Sequence, residues 1–219
     1  MAIIFTFAIQ ANASTAFYQT LDGDLSPEEG AEEVVFTPEE QAKAWARLTQ
    51  ANSARITYPV YTELSMAWFK QKNGHYCGPA TVKQVLHYLN GVSLTQDDYA
   101  IALGTTTAGT DMTRIPAVLN ANLNGIEYKY ADIGNAATWL TMVRTGLYNN
   151  KPAILDINTN ENDDFTYSSS GHFVNISGYD GVKAEVRITD PNDMRQHVWY
   201  TVSSLYSANN AHWMKAIIW

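Results

Sequence analysis

The chain holds one cysteine, Cys77, and five histidines: His75, His87, His172, His197 and His212. A single thiol rules out an internal disulfide and a zinc site built on cysteines. A lone cysteine is most often a small buried hydrophobe, so its surroundings must carry any chemical reading. The thiolate, not the thiol, attacks a carbonyl, and a nucleophilic cysteine needs something that favours ionisation. Cys77 is followed by Gly78-Pro79, then by Val82, Val85, Leu86 and Leu89 at the spacing i, i+3, i+4, i+7, one face of a helix. Proline suits the first turn of a helix, and glycine lets a substrate approach the backbone. The spacing thus predicts a cysteine at a helix N-terminus, where unpaired N–H groups and about half a positive charge favour a thiolate. The chemistry open to such a group is nucleophilic acyl transfer.

Several elements must position it. Asn90-Gly91 ends the Cys77 helix, because glycine adopts the left-handed conformation of a helix C-terminus. Thr95 to Leu103 reads as a second helix with Asp98 closing a capping box on Thr95. Thr110 to Asn124 reads as a third, which Pro116 must start or kink. A strand from Ile126 to Tyr130 follows, then a helix from Asn135 to Tyr148 with the stripe Trp139, Leu140, Val143 and Leu147. From Pro152 the pattern changes to strands: Ala153–Ile157, His172–Tyr179, Ala184–Thr189, His197–Val202 and Trp213–Ile218. Helices first and strands afterwards predict an α+β fold with an antiparallel sheet. Trp68, Phe69, Trp139 and Tyr179 are expected to fill the core.

The run Gln71-Lys72-Asn73-Gly74-His75-Tyr76-Cys77-Gly78-Pro79-Ala80 resembles the nucleophile motif of the family 39-like cysteine peptidases. These are papain-fold relatives of the bacteriocin-processing, double-glycine peptidases. Gly109-Thr110, Lys151-Pro152-Ala153, Gly171-His172-Phe173-Val174 and Thr189-Asp190-Pro191 recur in the same order, so the resemblance covers residues 71–192. It implies a papain-like fold, a helical N-terminal half and peptide-bond hydrolysis through an acyl-enzyme on Cys77. It implies no cofactor and no metal ion, and a peptide or protein as the partner.

The resemblance also assigns roles. Gln71 stands six positions before Cys77, where papain-like enzymes carry an oxyanion-hole glutamine; alone it would read as a solvated loop residue. His172 would be the base that pairs with Cys77 and protonates the leaving amine. A histidine on a buried strand is more often a core residue, and four others compete. His87 lies ten residues along the Cys77 helix, about 15 Å away at ~1.5 Å per residue, too far to reach. His75 would need its loop to fold back, while His197 and His212 begin late strands. Asp190 would orient the imidazole; its bland alternative is a turn residue, which is compatible with that role. Tyr76 departs from the aspartate that transporter-fused members carry before the cysteine, and no ATPase motif or membrane domain is present. A stand-alone peptidase is therefore expected. An amidase or acyltransferase would share the same first half-reaction, and an inactive binding module would share the fold. Sequence does not separate the peptidase from the amidase or acyltransferase, while the binding module is disfavoured because no position of the set is substituted.

Composition excludes other classes. The formal net charge is -8, from 22 acidic and 14 basic residues. Eight of those acids, from Asp22 to Glu40, precede the first basic residue, Lys43, so the remainder is neutral. Without a basic patch, nucleic acid is excluded as a partner. No apolar run reaches the ~20 residues that span a bilayer. Residues 1–13 look like the apolar part of a signal peptide, with Ala11-Asn12-Ala13 as a cleavage site, but lack a positively charged start. Export is the expectation. Residues 14–57 read as an acidic linker or pro-segment with one helix, capped at Thr37 and ending near Gln50; the peptidase domain is 58–219. Asp22, Asp24, Ser26 and Glu33 mimic a calcium loop, but Pro27 stands where such a loop needs glycine. The acidic loop Asn160 to Asp164 reads as solvated.

One expectation ties the site to the sheet. Asp180-Gly181 is a turn signal between two strands. A hairpin centred on Gly181 sets His172 opposite Asp190, about 5 Å apart at Cβ. A two-residue loop would set Thr189 there and turn Asp190 to the other face. The reading therefore demands a three-residue loop or a bulge.

Overall fold

The computed structural model describes residues 58–160 and 162–219. The signal-like segment 1–13, the acidic segment 14–57 and its helix lie outside the described residues. Helix α1 (Cys77–Asn90) begins at the cysteine. Its apolar stripe buries Val82, Val85 and Leu86, each worth about 1.5–3 kcal/mol against an exposed side chain. Gly91 ends it at φ 74°, with its N–H on the His87 carbonyl at 2.9 Å. Helix α2 (Gln96–Leu103) opens on the predicted box: the Asp98 N–H donates to Thr95 Oγ1 and the Thr95 N–H to Asp98 Oδ2.

The third helix is shorter than predicted. A 3-10 turn (Met112–Arg114) capped by Asp111 leads into α3 (Ile115–Ala121), with Pro116 in its first turn. Proline lacks the N–H that a helix begun at Thr110 would require. Strand β1 (Tyr61–Glu63) precedes these helices, and β2 (Tyr130–Asp132) follows them, four residues later than expected. Its place is decided by its partner: Tyr130 pairs with Ile218. Tyr128 instead buries its ring and donates its hydroxyl to the Pro152 carbonyl at 2.9 Å. Helix α4 (Ala136–Tyr148) is capped by Asn135 and buries Trp139, Val143 and Leu147.

The strands are β3 (Ile154–Ile157), β4 (His172–Asp180), β5 (Glu185–Thr189), β6 (His197–Thr201) and β7 (Ala216–Ile218). Between the last two lies α5 (Val202–Ala211), capped by Thr201. It was not anticipated, because the serine- and asparagine-rich segment has little apolar periodicity. Every pairing is antiparallel, in the order β2-β7-β3-β4-β5-β6, and β1 pairs with the far half of β4. No helix among the described residues is long and apolar enough to cross a membrane.

The hairpin corrects the expected register while keeping its consequence. Its loop has four residues, 181–184, so that Asp180 faces Glu185 and Tyr179 faces Val186. Two main-chain N–H groups, of Val182 and Lys183, donate to Asp180 Oδ1. That register, continued, would set Asp190 opposite Asn175 and on the wrong face. A bulge between Ile176 and Gly178 shifts it, and Asn175 then faces Thr189. Extended by one residue beyond Thr189, that register sets Asp190 opposite Val174, two residues from His172 and on the same face of the sheet. Ser177, the extra residue, accepts from Arg187 Nε at 3.1 Å, and Arg187 is anchored on Glu63 and on the Leu64 carbonyl. The bulge is thus held by a buried cation.

Candidate active site

Three loops and one helix converge at the start of β4. No side chain caps α1 at Tyr76, which leaves first-turn N–H groups without a capping partner. Cys77, the first helical residue, is 8% exposed. Helix α1 is clamped to β4: Thr81 Oγ1 donates to the Phe173 carbonyl at 3.1 Å, and Asn175 Nδ2 donates to the Thr81 carbonyl and to Gln84 Oε1. A Cβ on Gly78 would lie 2.4 Å from Thr110 Oγ1. A side chain at position 78 would collide with Thr110, which accounts for glycine there.

His172, the first residue of β4, is 5% exposed, and its Nε2 lies 2.7 Å from Asp190 Oδ1. The other ring nitrogen, Nδ1, remains for exchange with Cys77. Burial would lower the His172 pKa, but the charge and hydrogen bond of Asp190, and then Cys77 beside the ring, raise it above its ordinary value. Asp190 is fully buried. Burial would push its carboxyl up; the His172 charge and hydrogen bond, the Tyr167 hydroxyl and the Asn192 N–H together hold it below the ordinary value. The N–H groups of Asn192 and Asp193 reach Oδ1 at 2.8 and 3.3 Å, an Asx turn of the kind the Asp-Pro-Asn sequence favours. The turn and the site role coincide in one residue.

Two residues were missed from sequence. Tyr167 donates its hydroxyl to Asp190 Oδ2 at 2.5 Å, and its ring meets the imidazole edge-on at 5.2 Å between centroids. Trp68, assigned to the core, donates Nε1 to the Asp190 carbonyl at 2.6 Å. Neither sits at a diagnostic spacing, so no sequence signal marked them. Trp139 and Tyr179 are buried as expected.

Gln71 lies in the loop before α1. Its N–H donates to the Pro191 carbonyl at 2.9 Å, tying the nucleophile loop to the Asp190 turn. Its side-chain Nε2 donates to the Asn73 carbonyl at 2.8 Å, and its Oε1 is buried without a partner. The loop is braced on α2, since Gln96 bonds Lys70 and Lys72 and Lys72 pairs with Asp97.

The remaining histidines stand elsewhere. His75 packs on Tyr76, His87 on Phe69, and His197 contacts Thr189 Oγ1 at 3.0 Å. His212 pairs with Asp156 at 3.5 Å behind Gly171. Among the described residues no group of three or more histidine, cysteine or carboxylate side chains could hold a metal ion.

Solved structures share this architecture. A double glycine motif protease from an AMS/PCAT transporter, crystallised with a leader peptide, matches at TM-score 0.53 and 17% identity, over 72% of this chain and 91% of that one. A C39-like peptidase from Bacillus anthracis matches at TM-score 0.55 and 15% identity, over 72% and 96%. At such identities the likeness establishes the fold, α+β and papain-like, with a helical N-terminal half and an antiparallel sheet. No curated protein matches by sequence. Residues 63–216, from β1 into β7 and spanning every side chain of the candidate site, match the Peptidase C39 like family, and the chain belongs to it.

Proposed function

We propose that the protein hydrolyses peptide bonds through a thioester on Cys77. The observation that carries this reading is one assembly: a cysteine in the first turn of α1, beside an imidazole whose far nitrogen lies 2.7 Å from a fully buried carboxylate. Cys77 Sγ, as a thiolate, attacks the substrate carbonyl carbon and the carbonyl electron pair moves to oxygen. The oxyanion is stabilised by the Cys77 N–H and by Gln71, whose amide keeps one N–H beyond the one given to Asn73. Collapse breaks the C–N bond, and the His172 imidazolium gives its Nδ1 proton to the departing amine. Neutral imidazole then takes a proton from water, the hydroxide oxygen attacks the thioester, and Cys77 leaves as thiolate. Asp190 keeps the ring orientation and favours its charged form throughout.

The substrate class we infer is an extended peptide segment. The transporter protease with which the fold is shared was crystallised with a leader peptide, and Tyr76 before the nucleophile argues for a different side-chain preference here. Alkylation with iodoacetamide tests the site, read by mass at Cys77. Labelling at neutral pH is expected to be fast in the wild type and slowed at least ~10-fold by His172→Ala. Cys77→Ala is expected to abolish turnover of a peptide library. An ordinary thiol rate that His172→Ala does not change would sink the proposal.

A further inference from the structure

Asp190 is bonded on both oxygens, yet only Oδ1 serves the imidazole. Oδ2 accepts the Tyr167 hydroxyl at 2.5 Å, a charge-assisted contact of the strong, short class. The contact is a built feature. Thr159 Oγ1 donates to the Tyr167 carbonyl at 2.9 Å and accepts the Ser169 N–H at 2.9 Å, which fixes the β3–β4 loop on either side of the tyrosine. Phe165 packs on Tyr167 from the same loop and stacks on Tyr200 of β6 at 4.3 Å. A tyrosine needed only to cover the imidazole edge would not have to aim its hydroxyl at a carboxylate.

We propose that Tyr167 is a positioning residue that tempers Asp190, drawing charge to Oδ2 so that His172 releases its proton to the leaving amine. The inference rests on the acyl-enzyme reading above. A carboxylate that satisfied only the imidazole would hold the Nε2 proton more tightly, and the imidazolium would be a weaker acid. Burial and the Asp190 charge both raise the Tyr167 pKa, so the phenol remains a donor over the working range. The other ionisable groups facing the pair are few: Asp156 on β3, with His212 beside it, feels the His172 charge and main-chain N–H. Cys77 lies against the ring, and Asp193, on the turn, is neutralised by Arg195 through Nε and Nη2. Tyr200 on β6 contacts Arg195 at 3.2 Å.

The test is Tyr167→Phe, which removes one oxygen and keeps the ring on the imidazole. The His172 titration is followed by nitrogen NMR of histidine-labelled full-length protein, assigned with His172→Ala. The expected result is an upward shift of about 0.5–1 pH unit, with kcat on a peptide substrate reduced ~3–10-fold and KM unchanged. A merely structural role predicts no shift, or a downward one from a loosened pair, and either would overturn the proposal. Tyr167→Leu, lacking both ring and hydroxyl, should also shift the titration upward if the hydroxyl is responsible. Iodoacetamide labelling separates the two failures. A wild-type rate unaffected by His172→Ala removes the acyl-enzyme reading and this role with it. An ion-paired Cys77 with an unshifted His172 in Tyr167→Phe removes only the tempering role.

Discussion

The described residues contain two buried carboxylate–histidine pairs, and they behave oppositely. Asp190 and His172 are 0% and 5% exposed; Asp156 and His212 are 7% and 4% exposed. Composition and burial are therefore matched. Around Asp190 the donors are complete: imidazole at 2.7 Å, phenol at 2.5 Å and two main-chain N–H groups. Asp156 has no short side-chain donor, only His212 at 3.5 Å, and its Oδ1 has no hydrogen-bond partner. Burial pushes the Asp156 carboxyl up to about 7, with the His172 charge and N–H offsetting part of the rise, and burial pushes His212 down. Asp190 is held below its ordinary value despite equal burial. Donor supply, not the residue pair, sets the opposite directions of the two carboxyl shifts.

The largest contrast is expected in catalysis. Asp190→Asn should lower kcat/KM by ~10³ through loss of the charge that sustains the imidazolium. Asp156→Asn should change it less than ~3-fold, and an equal loss from both would erase the distinction. Gln71 offers a second unsatisfied buried oxygen, Oε1, in the loop that precedes Cys77. Gln71→Ala should reduce kcat by ~10² while Cys77 alkylation persists. Parallel loss of both would mean that Gln71 only supports its loop.

Stability should separate the pairs by sign. Asp156 binds a proton more tightly folded than unfolded, so its contribution falls as pH rises from about 4 to about 7. Asp190 is depressed, so its contribution is present above the ordinary aspartate pKa and is lost as pH falls through the folded value. Asp156→Asn should therefore gain on the wild type by on the order of 5 °C in Tm between pH 5 and pH 8. Thermal melts at both pH values check this, and a gap that stays constant would place Asp156 ionised throughout.

Much of this architecture is written in local pattern. The stripe from Val82 to Leu89, the Thr95–Asp98 box, the Asn90-Gly91 stop and the Asn135 cap depend on neighbours within a turn or two, and each stands where the sequence predicts. The place of Cys77 at the start of α1 has the same origin. The ordered motifs named Cys77, His172, Asp190 and Gln71 together, and the last three were legible only through the resemblance. What lay hidden depends on partners far along the chain. Tyr130 is a strand because Ile218 lies beside it. Tyr167 and Trp68 reach Asp190 across 23 and 122 positions, with no period to announce them. The register that brings Asp190 to the imidazole's face was demanded by the sequence reading, and of the two devices it allowed, the bulge supplies it. A four-residue loop set the wrong parity, and the Ser177 bulge held by Arg187 and Glu63 restored it. Local sequence determines helices because their hydrogen bonds close within four residues. Only the assembled sheet decides which face a strand residue takes, since one extra residue anywhere in a ladder reverses every side chain beyond it.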